Sequence, residues 1–180
     1  MNARVIGTWV VAAMLTCAGT AAAQAPDRRD TKVGDAIVKQ VNTYSRFTIF
    51  DDVNASIDQG AVVLTGRVTM PFKKDDIGKR IAGIDGVTSV QNNIQVLPVS
   101  QFDDQLRHRV ARAIYGNPSF WNYAAMANPP IHIIVENGRV TLTGVVNSNV
   151  ERALARSLAT GLGEFSVDSQ LRTDAEMRSH

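Results

Sequence analysis

Cysteine is nearly absent from this chain, and its scarcity removes a large part of chemistry at once. The single cysteine, Cys17, lies in an N-terminal stretch that reads as a leader, so the remainder would carry no disulfide, thiolate metal site or thiol nucleophile. Histidine is scarce as well: His108, His132 and His180 have no partner at metal-ligand spacing. There is no Gly-x-Ser-x-Gly elbow and no phosphate loop. Asp52-Val53-Asn54-Ala55-Ser56 opens like a calcium loop but then places Ile57 where glycine is needed and Val63 where glutamate is needed. The expectation is a protein without catalytic residues, metal, cofactor or small-molecule substrate, with a hydrolase as a distant third reading. Neither sign of charge dominates. Residues 31–98 hold 8 basic against 7 acidic side chains, and residues 102–174 hold 7 against 7, which excludes the basic surface that a nucleic-acid backbone requires.

Long apolar runs are also missing, apart from one near the N-terminus. Arg4 followed by apolar residues from Val5 to Leu15, and then by Ala21-Ala22-Ala23, has the three-part form of a secretory signal over residues 1–23, with Gln24 as the first residue left. That run is shorter than the about 20 residues a membrane span needs. Lipid attachment at Cys17 is disfavoured, because Met14-Leu15-Thr16 does not offer the Leu and small-residue positions of an acylation site. The chain is therefore expected to be exported and soluble.

What the sequence does contain is a duplication. GAVVLTGRV at 60–68 and GRVTLTGVV at 138–146 are nearly the same nine residues. A shift of 78 superimposes Val53, Ala55 and Ile57 on Ile131, Ile133 and Val135, and Val62, Leu64 and Gly66 on Val140, Leu142 and Gly144. In each copy the apolar positions first recur every four residues (Val33, Ile37, Val41; Leu106, Val110, Ile114), predicting a helix. A period-two run follows, then a turn at Asp58-Gln59-Gly60 or Glu136-Asn137-Gly138, and then the return strand of an antiparallel hairpin. A second helix comes next. In the first copy it opens at Pro71 and buries Ile77, Ile81 and Ile84. In the second it opens with the capping box Ser148 to Glu151, continues through Leu154, Leu158 and Leu162, and ends at Gly163. A short strand closes each copy, parallel to the one before because the crossover is right-handed. The predicted fold is α+β: two tandem αββαβ modules, each a three-stranded mixed sheet with two helices on one face, over 31–98 and 102–173, joined by the short linker Leu97–Gln101.

The hairpin Asn137–Gly144, the alanine-rich helix 151–160 and the run Gly86-Val87-Thr88-Ser89-Val90-Gln91-Asn92 resemble the BON domain, with PPIHIIVENGRVTLTGVV at 129–146 the stronger match. The resemblance to tandem-BON periplasmic proteins implies a role at bacterial envelope membranes in stress response, through contact with phospholipid or by helping outer-membrane proteins mature. The expected partner is thus an anionic phospholipid surface or an envelope protein. Two departures stand out: Glu164-Phe165 replaces the usual Gly-Val context, and the second copy inserts five residues before its first strand.

That insertion carries the candidate contact residues. Phe120, Trp121, Tyr123 and Met126 lie beside a helix bearing Arg107, Arg109 and Arg112, so aromatic tips could enter a lipid interface while arginines meet head groups, each worth about 1 kcal/mol. The competing reading has Phe120 and Trp121 roofing their own module's thin core or filling the seam between the modules, and for Trp121 it is the favoured one. The charges Lys73-Lys74-Asp75-Asp76 and Lys79-Arg80 read as a solvated helix face.

Overall fold

The computed structural model describes residues 28–178; the expected leader at 1–23 and His180 lie outside the described residues. The first module runs α1 (Arg28–Asn42), β1 (Asp52–Asp58), β2 (Ala61–Val68), α2 (Pro71–Ala82), β3 (Ser89–Asn92) and β4 (Gln95–Val96). The second runs α3 (Gln101–Tyr115), a 3-10 turn (Pro118–Phe120), α4 (Trp121–Ala124), β5 (Ile131–Glu136), β6 (Arg139–Val146), α5 (Asn149–Leu158), β7 (Ser166–Ser169) and β8 (Arg172–Thr173), and α6 (Asp174–Arg178) follows. The near-identical stretches are the central strands β2 and β6. Each pairs antiparallel with its hairpin partner and parallel with the closing strand. The closing strand is broken in two in both modules, β3 and β4 in the first, β7 and β8 in the second, and both pieces still pair with the central strand. At the break Ile94 or Leu171 turns inward and is buried.

Two separate cores result. Val33, Ile37, Val62, Leu64, Ile77 and Ile81 centre the first, and Leu106, Val110, Ile114, Ile133, Leu142 and Ala155 the second. The apolar alternation is the reason these strands lie flat on their helices, since each buried Leu or Ile contributes about 1.5–3 kcal/mol. Helix α5 departs from the predicted stripe. It ends at Leu158, Ala155 and the C-cap residue Ala159 are fully buried, and Leu154, Leu158 and Leu162 pack at the margin of the core. Its cap also differs in detail: the Ser148 hydroxyl accepts the Glu151 amide as predicted, but the Glu151 carboxylate takes the Asn147 amide.

Each hairpin turn is held by an acid that the sequence did not single out. Asp30, in the first turn of α1, accepts the Gln59 and Gly60 amides at 3.1 Å each. Asp103, in the first turn of α3, accepts the Asn137 and Gly138 amides at 2.8 Å each. Gln59 and Asn137 both have positive φ, so these turns expose successive amides, and one carboxylate satisfies two of them.

One loop packs between the modules, which are also joined by the Arg67–Glu136 ion pair at 3.1 Å and by the Asn128 side-chain amide donating to the Asn42 carbonyl. Asp51 is fully buried and accepts five donors: the Thr48 amide and hydroxyl, the Thr69 amide and hydroxyl, and the Lys73 ammonium at 2.6 Å. Lys73 is therefore not part of a solvated face. It is buried, because the antiparallel hairpin brings Asp51, just before β1, beside the end of β2 and the first turn of α2, where it neutralises the ammonium. The loop that Asp51 fixes projects Phe47, Ile49 and Phe50 onto the second module. Phe47 lies against His132, Phe50 edge-on against His108, and the Ile49 carbonyl accepts the Ile133 amide at 2.7 Å.

Replacing Asp51 with alanine leaves the Lys73 ammonium buried without a partner, so urea denaturation should show a loss of about 3–5 kcal/mol. Lys73→Met, which leaves Asp51 four of its donors, should cost clearly less. Amide resonances around Ile133 should shift in Asp51→Ala and stay in place in Lys73→Met.

Candidate functional site

Helix α3 organises the second module's surface. Ser100 caps it by accepting the Asp103 amide, and Leu106, Val110 and Ile114 face the core. Two of its other side chains seal the edge of β5. Arg107 is buried, donates to the Val135 carbonyl at 2.7 Å and pairs with Asp104. The Tyr115 hydroxyl donates to the Ile131 carbonyl at 2.5 Å and accepts the Ile131 amide. Together with the Ile49 carbonyl on the Ile133 amide, these contacts occupy polar groups that an edge strand would otherwise leave open.

The structure divides the predicted contact residues. Phe120 is fully buried and packs with Tyr123 in the core, so neither can reach a lipid surface. The Tyr123 hydroxyl donates to Glu151 at 2.7 Å and accepts the Asn147 amide, tying the inserted segment to the β6–α5 junction. Burial, then the bond to Glu151, pushes its pKa up to about 12. Arg107 is likewise removed from the surface by its bond to Val135. Trp121, for which the core reading was favoured, is 61% exposed, and Met126 is exposed too. The reason is local. Asn117 accepts the Ser119 amide and sets a 3-10 turn in which Phe120 faces inward, and its neighbour must then face out. Arg109 and Arg112 remain exposed on α3.

Next to them is a surface that sequence reasoning did not assemble. Phe165, 79% exposed, stacks on the exposed Phe102 with ring centroids 6.4 Å apart, and the Arg109 guanidinium lies 6.0 Å from the Phe102 ring. Gly138 seats the pair: a Cβ there would come within 2.7 Å of the Phe165 ring. The loop is fixed from below. The Phe165 amide donates to the Gly138 carbonyl, and the Glu164 carboxylate takes the Gly161 and Leu162 amides at 2.7 Å each. Burial would raise the Glu164 carboxyl, but these amides, with its own and that of Gly163, hold it below the usual carboxylate range. Thr88 takes the equivalent place above Gly60 in the first module. The departure at Glu164-Phe165 was the available signal; its stacking partner lies too far along the chain for spacing to reveal it.

Among the described residues no helix is long and apolar enough to cross a membrane, and no group of three or more His, Cys, Asp or Glu could hold a metal ion. The model of the BON domain family matches residues 28–98 and again 102–174. No curated protein matches the chain. Among solved structures, it is similar to CdsD, a structural protein of the type III secretion system of Chlamydia trachomatis, at 14% identity over 82% of this chain and 96% of that one, with a TM-score of 0.30. A structure of the CdsD C-terminal domain matches at 12% identity over 82% and 98%, with a TM-score of 0.26.

Two outcomes follow from this placement. Phe120→Ala should cost about 3–5 kcal/mol in denaturant melts, while Trp121→Ala should change stability by less than about 0.5 kcal/mol. Tyr44 and Tyr123 are both raised to about 12 from 10.0, Tyr44 by burial and then by its bond to Asp76, and Tyr115 is also raised by burial. The folded state thus keeps these protons where the unfolded chain loses them. The stability they contribute is complete below pH 10 and should fall as pH rises from 10 through 12, and Tyr123→Phe should flatten that fall in pH-dependent melts.

Proposed function

From the premise that this chain belongs to the BON domain family, we propose that it is a non-enzymatic periplasmic protein that maintains the envelope under stress by binding anionic phospholipid surfaces through its second module. The observation that carries this reading is the Phe102–Phe165 pair with Arg109 beside it. An aromatic ring held 79% exposed on a clamped loop is poorly placed in water and well placed at a membrane interface. Arg109, two turns along α3 from Phe102 and on the same helix face, with the exposed Arg112 one turn beyond it, supplies cations for phosphate head groups, at about 1 kcal/mol each. Trp121 and Met126 give further exposed apolar contacts beyond the helix.

The rival reading, a chaperone or adaptor that captures outer-membrane polypeptide along a sheet edge, is disfavoured at β5. There Tyr115, Ile49 and Arg107 already hold Ile131, Ile133 and Val135.

Co-sedimentation with vesicles of phosphatidylcholine and phosphatidylglycerol tests the proposal. The folded protein should pellet at low salt and be released as salt rises. The double variant Phe102→Ser/Phe165→Ser should bind at least about tenfold more weakly, with unchanged circular dichroism. Failure of the unaltered protein to pellet at low salt overturns the reading. Binding by an aggregation-suppression assay alone, with no vesicle association, would favour the chaperone instead.

A further inference from the structure

The seam between the modules encloses a cleft of about 800 Å³, within the size range of small-molecule sites and at the kind of place where they form. Its apolar wall includes Phe47, Val53, Val145 and Met177. On the outer face of the second sheet, His132 and Thr143 are cross-strand partners, and both line the cleft. Neither His132 Nδ1 nor Thr143 Oγ1 has a hydrogen-bond partner, and both atoms are sealed from water. The repeat provides an internal comparison. The equivalent pair in the first module, Asn54 and Thr65, is exposed to solvent, and the Asn54 amide donates to Asp52. The same positions are thus ordinary wet surface in one module and roofed, unsatisfied polar groups in the other, an unfavourable arrangement if nothing ever meets them.

A cation completes the wall. Arg172 is exposed, lines the cleft and is in register with Val145, two residues beyond Thr143 on the same side of the sheet. Asp52 also lines the cleft, where it accepts from the Asn54 amide. We infer that this cleft is a binding site for a small molecule with an apolar body and one carboxylate, the body lying against Phe47, Val145 and Met177 and the carboxylate on Arg172, the Thr143 hydroxyl and the His132 imidazole. Entry requires the His132 ring to turn about Cβ–Cγ and the Thr143 rotamer to change, so that their sealed atoms meet the ligand. The site is separate from the Phe102–Phe165 surface and stands or falls independently of it.

The probe is sodium octanoate, titrated into the full chain and followed by amide chemical shifts. Saturable shifts should appear at Thr143, Val145 and Asn54 below about 10 mM. Acetate, which lacks the body, and octanol, which lacks the charge, should each bind at least about tenfold more weakly. Arg172→Gln, an exposed change that spares the core, should weaken octanoate by a similar factor, as should Thr143→Val. Absence of saturation, shifts confined to the Phe102–Phe165 surface, equal binding of octylamine, or an Arg172→Gln variant that binds as well as the unaltered protein would each overturn the inference.

Discussion

A single buried carboxylate, that of Asp51, sets the relation of everything else in the molecule. Charge burial is expensive unless hydrogen bonds and an opposite charge replace water, and here four hydrogen bonds and the Lys73 ammonium do so. The donors come from the loop before β1, the end of β2 and helix α2. Closing that knot therefore fixes the loop to the first module, and the fixed loop in turn positions Phe47, Ile49 and Phe50 against the second. The seam is an extension of one module's interior polar network and not an added adhesive patch.

The second module solves the same local problem with different chemistry. Where the first has Thr69 and Lys73 gathered on an aspartate, the second has Asn147 and Glu151 gathered on the Tyr123 hydroxyl. The strand-to-helix junction needs its free amide answered in both, and a repeated backbone fixes where that answer must come from but not which residue gives it. The turn clamps are conservative by contrast: Asp30 and Asp103 do the same thing in the same way, since two adjacent amides at a positive-φ turn suit one carboxylate.

How much of this could be read beforehand depended on the range of the interaction. The duplication, hairpins, helices and core faces follow from local periodicity, and the sequence showed them except for the buried face of α5, where Ala155 replaces the leucine stripe. Ser148 and Pro71 marked helix starts for the same reason. Lys73 was misread because Lys74, Asp75 and Asp76 surround it in sequence, while its real partner is brought in by the sheet. Trp121 and Phe120 were misassigned because a single 3-10 turn decides which neighbour faces inward, and one turn has no period to detect. Phe102 and Phe165 meet only when α3 and the loop before β7 converge over Gly138.

The loop Phe47–Asp51 has as its counterpart, one repeat later, Ala125-Met126-Ala127-Asn128-Pro129, which has neither an aromatic ring nor an acid. The joint is accordingly asymmetric: the leading unit supplies the aromatic plug, while the trailing unit's loop contributes only the Asn128 amide, which donates to the Asn42 carbonyl. A duplicated backbone thus need not carry a duplicated interface, and this pair lacks the repeated nearest-neighbour contact from which a solenoid grows.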